Sequence, residues 1–318
     1  ATSAGTCTLT VTKSADSNFE AATTSATFTI NKATQTISIT STAPSAAKVA
    51  GSTYTFTATG GASGNAVTLS STTTGVCTIS TATVSFVGAG TCTLAANQAS
   101  ATGYDAATQA TQTFTVAKGD PSLSSFSNVT KTFGDSDFTV TAPTVANSLA
   151  GAFTYASGTV GTATIANSGG VGTVTIVASG TTVITATFTP TDTNNYNTAT
   201  ITMTLTVNKA SQTMAWTPTT SLLVTDSPVT FTAATALDSA VITYQVTSAG
   251  TTGCTVNSST RALTFSAAGS CTVSAQAAAT DRYVLANISQ TFTISLATRT
   301  LTIDSGSFAS TYGMAATP

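Results

Sequence analysis

Four times along its length the chain closes a segment on the same short phrase: Phe28-Thr-Ile-Asn-Lys32, Phe114-Thr-Val-Ala-Lys118, Leu205-Thr-Val-Asn-Lys209 and Phe292-Thr-Ile-Ser-Leu296. Within each phrase apolar residues alternate with Thr or another small polar residue, the period-2 pattern of a half-buried strand. Phe114 and Val116 then face a core, and Thr113 and Thr115 face water. The phrase returns after 86, 91 and 87 residues, so the chain is an array of similar units and not one fold of 318 residues.

The spacing divides the chain into three complete copies, residues 33–118, 119–209 and 210–297. Residues 1–32 match the back half of a unit, with Cys7 standing where Cys92 stands and Phe19 where Tyr104 stands. Residues 298–318 start a further copy, Tyr312-Gly313 corresponding to Phe133-Gly134. The two partial copies together supply little more than half a unit and omit its central strands and first cysteine. A window on a longer array accounts for them better than one molecule's tail completing its neighbour. Each new copy begins one to three residues after the phrase, at Gln35, Pro121, Gln212 and Arg299. Linkers so short make neighbouring units abut, and the expectation is an extended, fairly stiff rod.

Composition agrees with strands. Thr, Ala, Ser and Val dominate, 41% of residues are hydrophobic, and only 6% are charged, whereas helices need the Leu, Lys and Glu that are scarce here. Seven strands are expected per unit. In residues 33–118 they lie near 35–40, 52–59, 66–70, 76–80, 83–87, 91–98 and 110–117, punctuated by Gly, Ser, Asn and Pro as in an all-β sandwich. Nine basic and eleven acidic residues give a net charge of -2, so no basic face is available for a phosphate backbone and nucleic acid is not an expected partner. No apolar run approaches the roughly 20 residues of a membrane helix, and the first residues, ATSAGTC, lack the basic and apolar regions of a signal peptide.

Cysteine use points to an oxidising compartment. Cys77 and Cys92, and Cys254 and Cys271, fall at the same two points of their units, and we read each pair as a disulfide. Buried free thiols are the competing reading; zinc would need a CxxC or a histidine, and the chain has neither. Cys7, alone in its partial unit, would pair with a cysteine upstream. The copy 119–209 carries Ala163 and Thr182 at the two positions and is expected to hold those strands together by packing alone.

The combination of Gly161-Thr-Ala-Thr-Ile165, Gly180-Thr-Thr-Val-Ile184 and Asn195-Tyr196-Asn197-Thr-Ala199 resembles bacterial immunoglobulin-like domains, in particular the MBG-type repeat arrays of large bacterial surface proteins. The cysteine-bearing copies show the same pattern in Gly75-Val-Cys77-Thr-Ile79, Gly90-Thr-Cys92-Thr-Leu94 and Gly103-Tyr-Asp-Ala-Ala107. The resemblance covers nearly the whole chain. It implies tandem seven-stranded immunoglobulin-like sandwiches used as non-catalytic building blocks outside the cell.

Candidate chemistry is sparse. Without histidine there is no Ser-His-Asp or Cys-His arrangement. Asp135 and Asp137 form the only close carboxylate pair and read as a solvated turn. The same two residues, with Asp192 in Thr191-Asp-Thr-Asn-Asn195, are candidate calcium ligands, although one or two carboxylates without Glu make a poor cage and ordinary Asx turns are the plainer reading. The aromatic step Phe19, Tyr104, Tyr196, Tyr283 recurs at the entry to each last strand and is expected to plug one end of its sandwich; stacking on a carbohydrate is the alternative. Trp216, beside a junction, is expected to pack at the interface. Thr rows on single twisted strands are a poor ice lattice; they give uncharged β-branched surface and are potential acceptors of O-linked sugars. The sequons at Asn128, Asn257 and Asn287 carry little weight in a chain of bacterial resemblance.

The expectation is therefore a non-catalytic, extracellular structural protein on a bacterial cell surface, needing no cofactor. Its partners would be neighbouring copies of itself or other surface components, assembled as a fibre, filament, sheath or surface layer. The alternatives are the stalk of a large adhesin whose binding head lies elsewhere, and a glycan-binding module.

Overall fold

The computed structural model describes residues 3–302; the part of the last partial copy that includes Tyr312-Gly313 lies outside the described residues. The described chain is built of strands with three short 3-10 turns. The middle unit shows the design most fully. One sheet runs Val129–Thr132, Ala199–Asn208, Gly180–Pro190, Gly151–Ser157; the other runs Phe138–Thr139, Val171–Ile176, Ala163–Ser168. All neighbours are antiparallel except the first pair, where Val129 lies beside Leu205 in parallel register. The third unit repeats this order with Ser221–Leu223, Ala286–Ser295, Gly269–Ala277 and Ile242–Ser248 over Val229–Thr230, Ala262–Thr264 and Thr255–Asn257, again with one parallel pair at the edge. Two sheets with this order, and sequential strands that cross between them, make the immunoglobulin-type Greek-key sandwich.

In the first unit the expected strand 52–59 is broken. Tyr54–Thr55 pairs with Thr83–Phe86, and Ala58–Thr59 pairs with Ser38–Ile39. Phe56, at the break, is fully buried. The switch follows from the two segments serving different neighbours, which a local pattern of alternation does not reveal.

The closing phrase sets the register of every unit. Phe114 lies opposite Cys92, Phe292 opposite Cys271, Leu205 opposite Thr182 and Phe28 opposite Cys7. The strand bearing the second cysteine position always opens on glycine: Gly5, Gly90, Gly180 and Gly269 have φ between 137° and 147°, a conformation that other residues rarely adopt. Inward residues of these strands build a separate core in each unit, around Phe56 and Leu94, around Ile184 and Leu205, and around Phe292 and Leu263. Outward positions carry Thr and Ser in cross-strand pairs, such as Thr272 with Thr291 at 3.0 Å between hydroxyls.

Residues 5–30 form a two-stranded hairpin, Gly5–Lys13 with Ala22–Ile30. Leu9 is 60% and Phe28 52% exposed, while Leu94, Val273 and Phe292 at the matching positions are fully buried. The sequence pattern is the same; the covering sheet makes the difference.

Candidate functional site

Two features distinguish these units from a generic sandwich: the links between the sheets and the contacts between units. Cys77 on Cys77–Ser80 and Cys92 on Gly90–Gln98 belong to different sheets and are bonded, S–S 1.95 Å, with Cα atoms 5.7 Å apart. Cys254 and Cys271 are bonded likewise, S–S 2.00 Å and Cα–Cα 6.3 Å. All four are buried. Cys7 is half-exposed and carries no disulfide.

In the middle unit the two positions carry no bond to each other. Ala163 is fully buried, but Thr182 puts its hydroxyl where a sulfur stands elsewhere. Its Oγ1 accepts a hydrogen bond from the Thr159 amide at 2.9 Å and shares another with the Ser157 hydroxyl at 3.1 Å. These bonds tie Thr182 to the neighbouring strand of its own sheet and the turn that leaves it, so no bond takes the place of the inter-sheet disulfide.

Contacts between units use the same parts each time. In the unit that follows, a linker residue is bracketed by the aromatic step. The Gly119 amide donates to the Asn195 carbonyl and the Asn197 amide to the Gly119 carbonyl, both at 2.9 Å. Ala33 is held identically between Gly103 and Asp105, and Ala210 between Arg282 and Val284. This places the loop before the aromatic residue against the preceding unit, at the turn just ahead of its special glycine. At the first junction the Ala89 amide donates to Asn195 Oδ1 at 2.8 Å. Lys118 Nζ donates to the Thr193 carbonyl at 2.6 Å, and Lys48 pairs with Asp120 at 3.3 Å. At the second, the Ser179 amide donates to the Asp281 carbonyl at 3.0 Å, joined by its own hydroxyl at 2.5 Å. Arg282 Nε donates to the Val177 carbonyl at 3.2 Å. Ahead of the first complete unit, Ser3, Ala4 and Ile30 share a cleft with Gly103 and Tyr104.

The aromatic step is therefore a junction element, and the expectation that it plugs its own sandwich is corrected. Tyr196 packs against the core cluster of the first unit. Tyr283 meets Phe133 of the middle unit edge to face at 5.4 Å, and the Arg282 guanidinium lies 5.4 Å from the same Phe133 ring, a favourable cation–π arrangement. Arg282 is held in place by Asp238 at 3.0 Å. Trp216 corrects the opposite way. It is 2% exposed inside the third unit's core, in contact with Phe231, Tyr244 and Phe292, and its Nε1 donates to the Thr232 carbonyl at 2.9 Å.

The candidate calcium ligands are engaged in local structure. Asp135 accepts from the Thr132 amide at 2.9 Å, Asp137 from the Thr175 hydroxyl at 2.8 Å, and Asp192 from the Asn194 and Asn195 amides at 3.2 Å and the Asn195 side chain at 2.7 Å. Asp135 and Asp137 are thus tied to different strands, and among the described residues no three His, Cys, Asp or Glu side chains gather as a metal-binding group. The Asn195 amide, with help from the loop backbone, holds Asp192 below the usual carboxylate range. Asp120 is held low by the Asn197 side chain and then by Lys48. Both carboxylates thus fix junction loops.

The sequence displayed the parts of this junction, since the Gly-Thr turn and the Asn-Tyr or Arg-Tyr step recur in step. That they touch across units was missed, because in most of the hydrogen bonds one partner is a backbone group that carries no sequence signal.

The geometry defines a class, a tandem array of immunoglobulin-type sandwiches with repeated junctions. Compared with known families, the chain matches no family model, and no curated protein matches it. Similar solved structures include Drosophila N-cadherin EC1-4, at 11% identity over 92% of this chain and 84% of that one with a TM-score of 0.33. Protocadherin gamma B2 extracellular cadherin domains 3-6 share the same four figures. A three-immunoglobulin titin structure is 12% identical over 78% of this chain and 93% of its own, with a TM-score of 0.30.

Proposed function

We propose that this chain is a non-catalytic structural segment of an extracellular repeat array, transmitting tension and direction along a bacterial surface fibre, filament, sheath or layer. The observation that carries the reading is the junction built again at the same places, with hydrogen bonds from the turn of one unit to the loop of the next. Such contacts resist bending, because a hinge would have to break several at once. The inter-sheet disulfides suit an oxidising exterior, where reduction does not threaten them, and they limit how much chain is released if a unit yields. Catalysis finds no support in a chain without histidine whose candidate carboxylates Asp135, Asp137 and Asp192 are engaged in local structure.

Small-angle scattering on the full chain tests this. The reading expects the profile of a stiff string, and a more flexible profile once Asn195→Ala and Tyr283→Ala remove one contact at each junction. A wild-type profile already matching freely jointed units would overturn it.

A further inference from the structure

Each unit leaves the outer partner of its glycine-started strand at a sheet edge: Val67–Ser71, Gly151–Ser157 and Ile242–Ser248. Such edges present unpaired amides and carbonyls, which proteins normally shield with Lys, Pro, bulges or cover. Charge is not the shield in the first two units, since residues 49–104 and 138–191 contain no charged side chain. The middle unit uses a side chain instead. Asn167 Nδ2 donates to the Tyr155 carbonyl at 2.9 Å while its Oδ1 accepts from the Tyr155 amide at 2.8 Å, occupying both outward groups at the centre of the edge strand. In the third unit the Tyr244 amide donates to the Ser258 hydroxyl at 2.9 Å, and that edge strand is bulged between Val246 and Ser248.

The first unit has no such guard. Its corresponding hairpin turns at Ser80 opposite Thr83, two pairs earlier than Ser168 opposite Val171, counted from the matching pairs Ile79 with Val84 and Ile165 with Val174. It ends short of the edge. The Thr72 amide bonds inward to Thr93, so by strand alternation Thr68 and Ser70 also bond inward, and Val67, Leu69 and Ser71 direct their backbone groups outward. Among the described residues nothing pairs with those outward groups.

We propose that the edge of Val67–Ser71 is a docking site for a second copy of this chain, whose own Val67–Ser71 lies antiparallel alongside so that the two sheets become one. An edge strand pairs with itself about a two-fold axis and needs no second complementary surface. Centred on Leu69, the pairing sets Thr68 opposite Ser70 and Val67 opposite Ser71, neutral pairs that cost no ion desolvation. The proposal rests on the structural-array reading and adds its lateral partner.

Sedimentation of the full chain over a wide concentration range is the test. The expected result is a dimer that dissociates on dilution. Thr68→Lys with Ser70→Lys sets like charges opposite each other and is expected to weaken the dimer by roughly tenfold or more; Asn167→Ala opens a second edge and is expected to give larger assemblies. Hydrogen exchange needs no variant: the amides of Leu69 and Ser71 are expected to slow with concentration, and those of Thr68 and Ser70 not to. A monomer at every concentration overturns the proposal. So does association that survives the two lysines and is lost on Leu9→Lys with Phe28→Ser, which assigns it to the exposed N-terminal hairpin. A stiff but monomeric string would sink this inference and leave the array reading standing.

Discussion

Tyr155 and Tyr244 occupy the same place in their units, opposite Ala186 and Ala275, yet their hydroxyls have opposite fates. Tyr244 Oη accepts from the Ala234 amide at 2.7 Å, whereas the Tyr155 hydroxyl is buried without a partner. The cause is one residue. Pro143 stands where Ala234 stands, next to Thr144 as Ala234 is next to Thr235, and proline has no N–H to give. Tyr244→Phe is therefore expected to destabilise the third unit by about 1–3 kcal/mol, since it leaves a buried amide unpaired. Tyr155→Phe removes an unpaired group and is expected to change stability by no more than about 0.5 kcal/mol. Chemical denaturation of the full chain compares the two. Burial pushes the Tyr155 phenol above its usual range; its contribution is intact below about pH 10 and lost as pH rises through the folded value. The alignment of the two tyrosines was legible in the sequence, but not the missing donor, because the bond joins strands whose contact no local pattern encodes.

At the scale of the element, the second cysteine position shows how one strand register accepts different links. Converting Ala163 and Thr182 together to cysteine is expected to form a third inter-sheet disulfide. It closes a loop comparable to those of its neighbours, and by the chain-entropy model it adds about 3 kcal/mol to the middle unit. Non-reducing mass spectrometry detects the bond, and the gain in melting temperature should vanish with reductant. Thr182→Val is expected to cost about 1–2 kcal/mol by removing the acceptor for the Thr159 amide. The linker element is as demanding. A Cβ on Gly119 would lie 2.6 Å from the Val49 carbonyl oxygen and 3.0 Å from the Tyr196 ring, so Gly119→Ala is expected to loosen the first junction and leave both adjoining cores intact. Faster proteolysis near residue 119 with unchanged unit melting checks it. Strand placement and the cysteine positions could be read in advance; the need for glycine here could not, since it arises from two units meeting at one atom.

Across the whole molecule, charge is so scarce that pH acts at few places. Without histidine, no side chain in its ordinary range changes charge between about pH 5 and pH 8, and stability should be flat there. Asp120 and Asp192 are held low in the folded chain, so their contribution is present above about pH 4 and lost as pH falls through the folded values. Scattering at low pH should then show looser junctions before the sandwich cores unfold. By itself the sequence determined the all-β class, the size of the units and the alternation that sends Thr outward, because a period-2 pattern repeated along one chain is a local signal. Only the tertiary structure decided that the aromatic step faces the preceding unit, that Leu9 is exposed while Leu94 is buried, and that one sheet edge is open. Ala89 meets Asn195 across 106 positions and Ser179 meets Asp281 across 102, each bond pairing a side chain with a backbone group that every residue carries. The side chain by itself does not announce its distant partner; the contact exists once two folded units are set end to end.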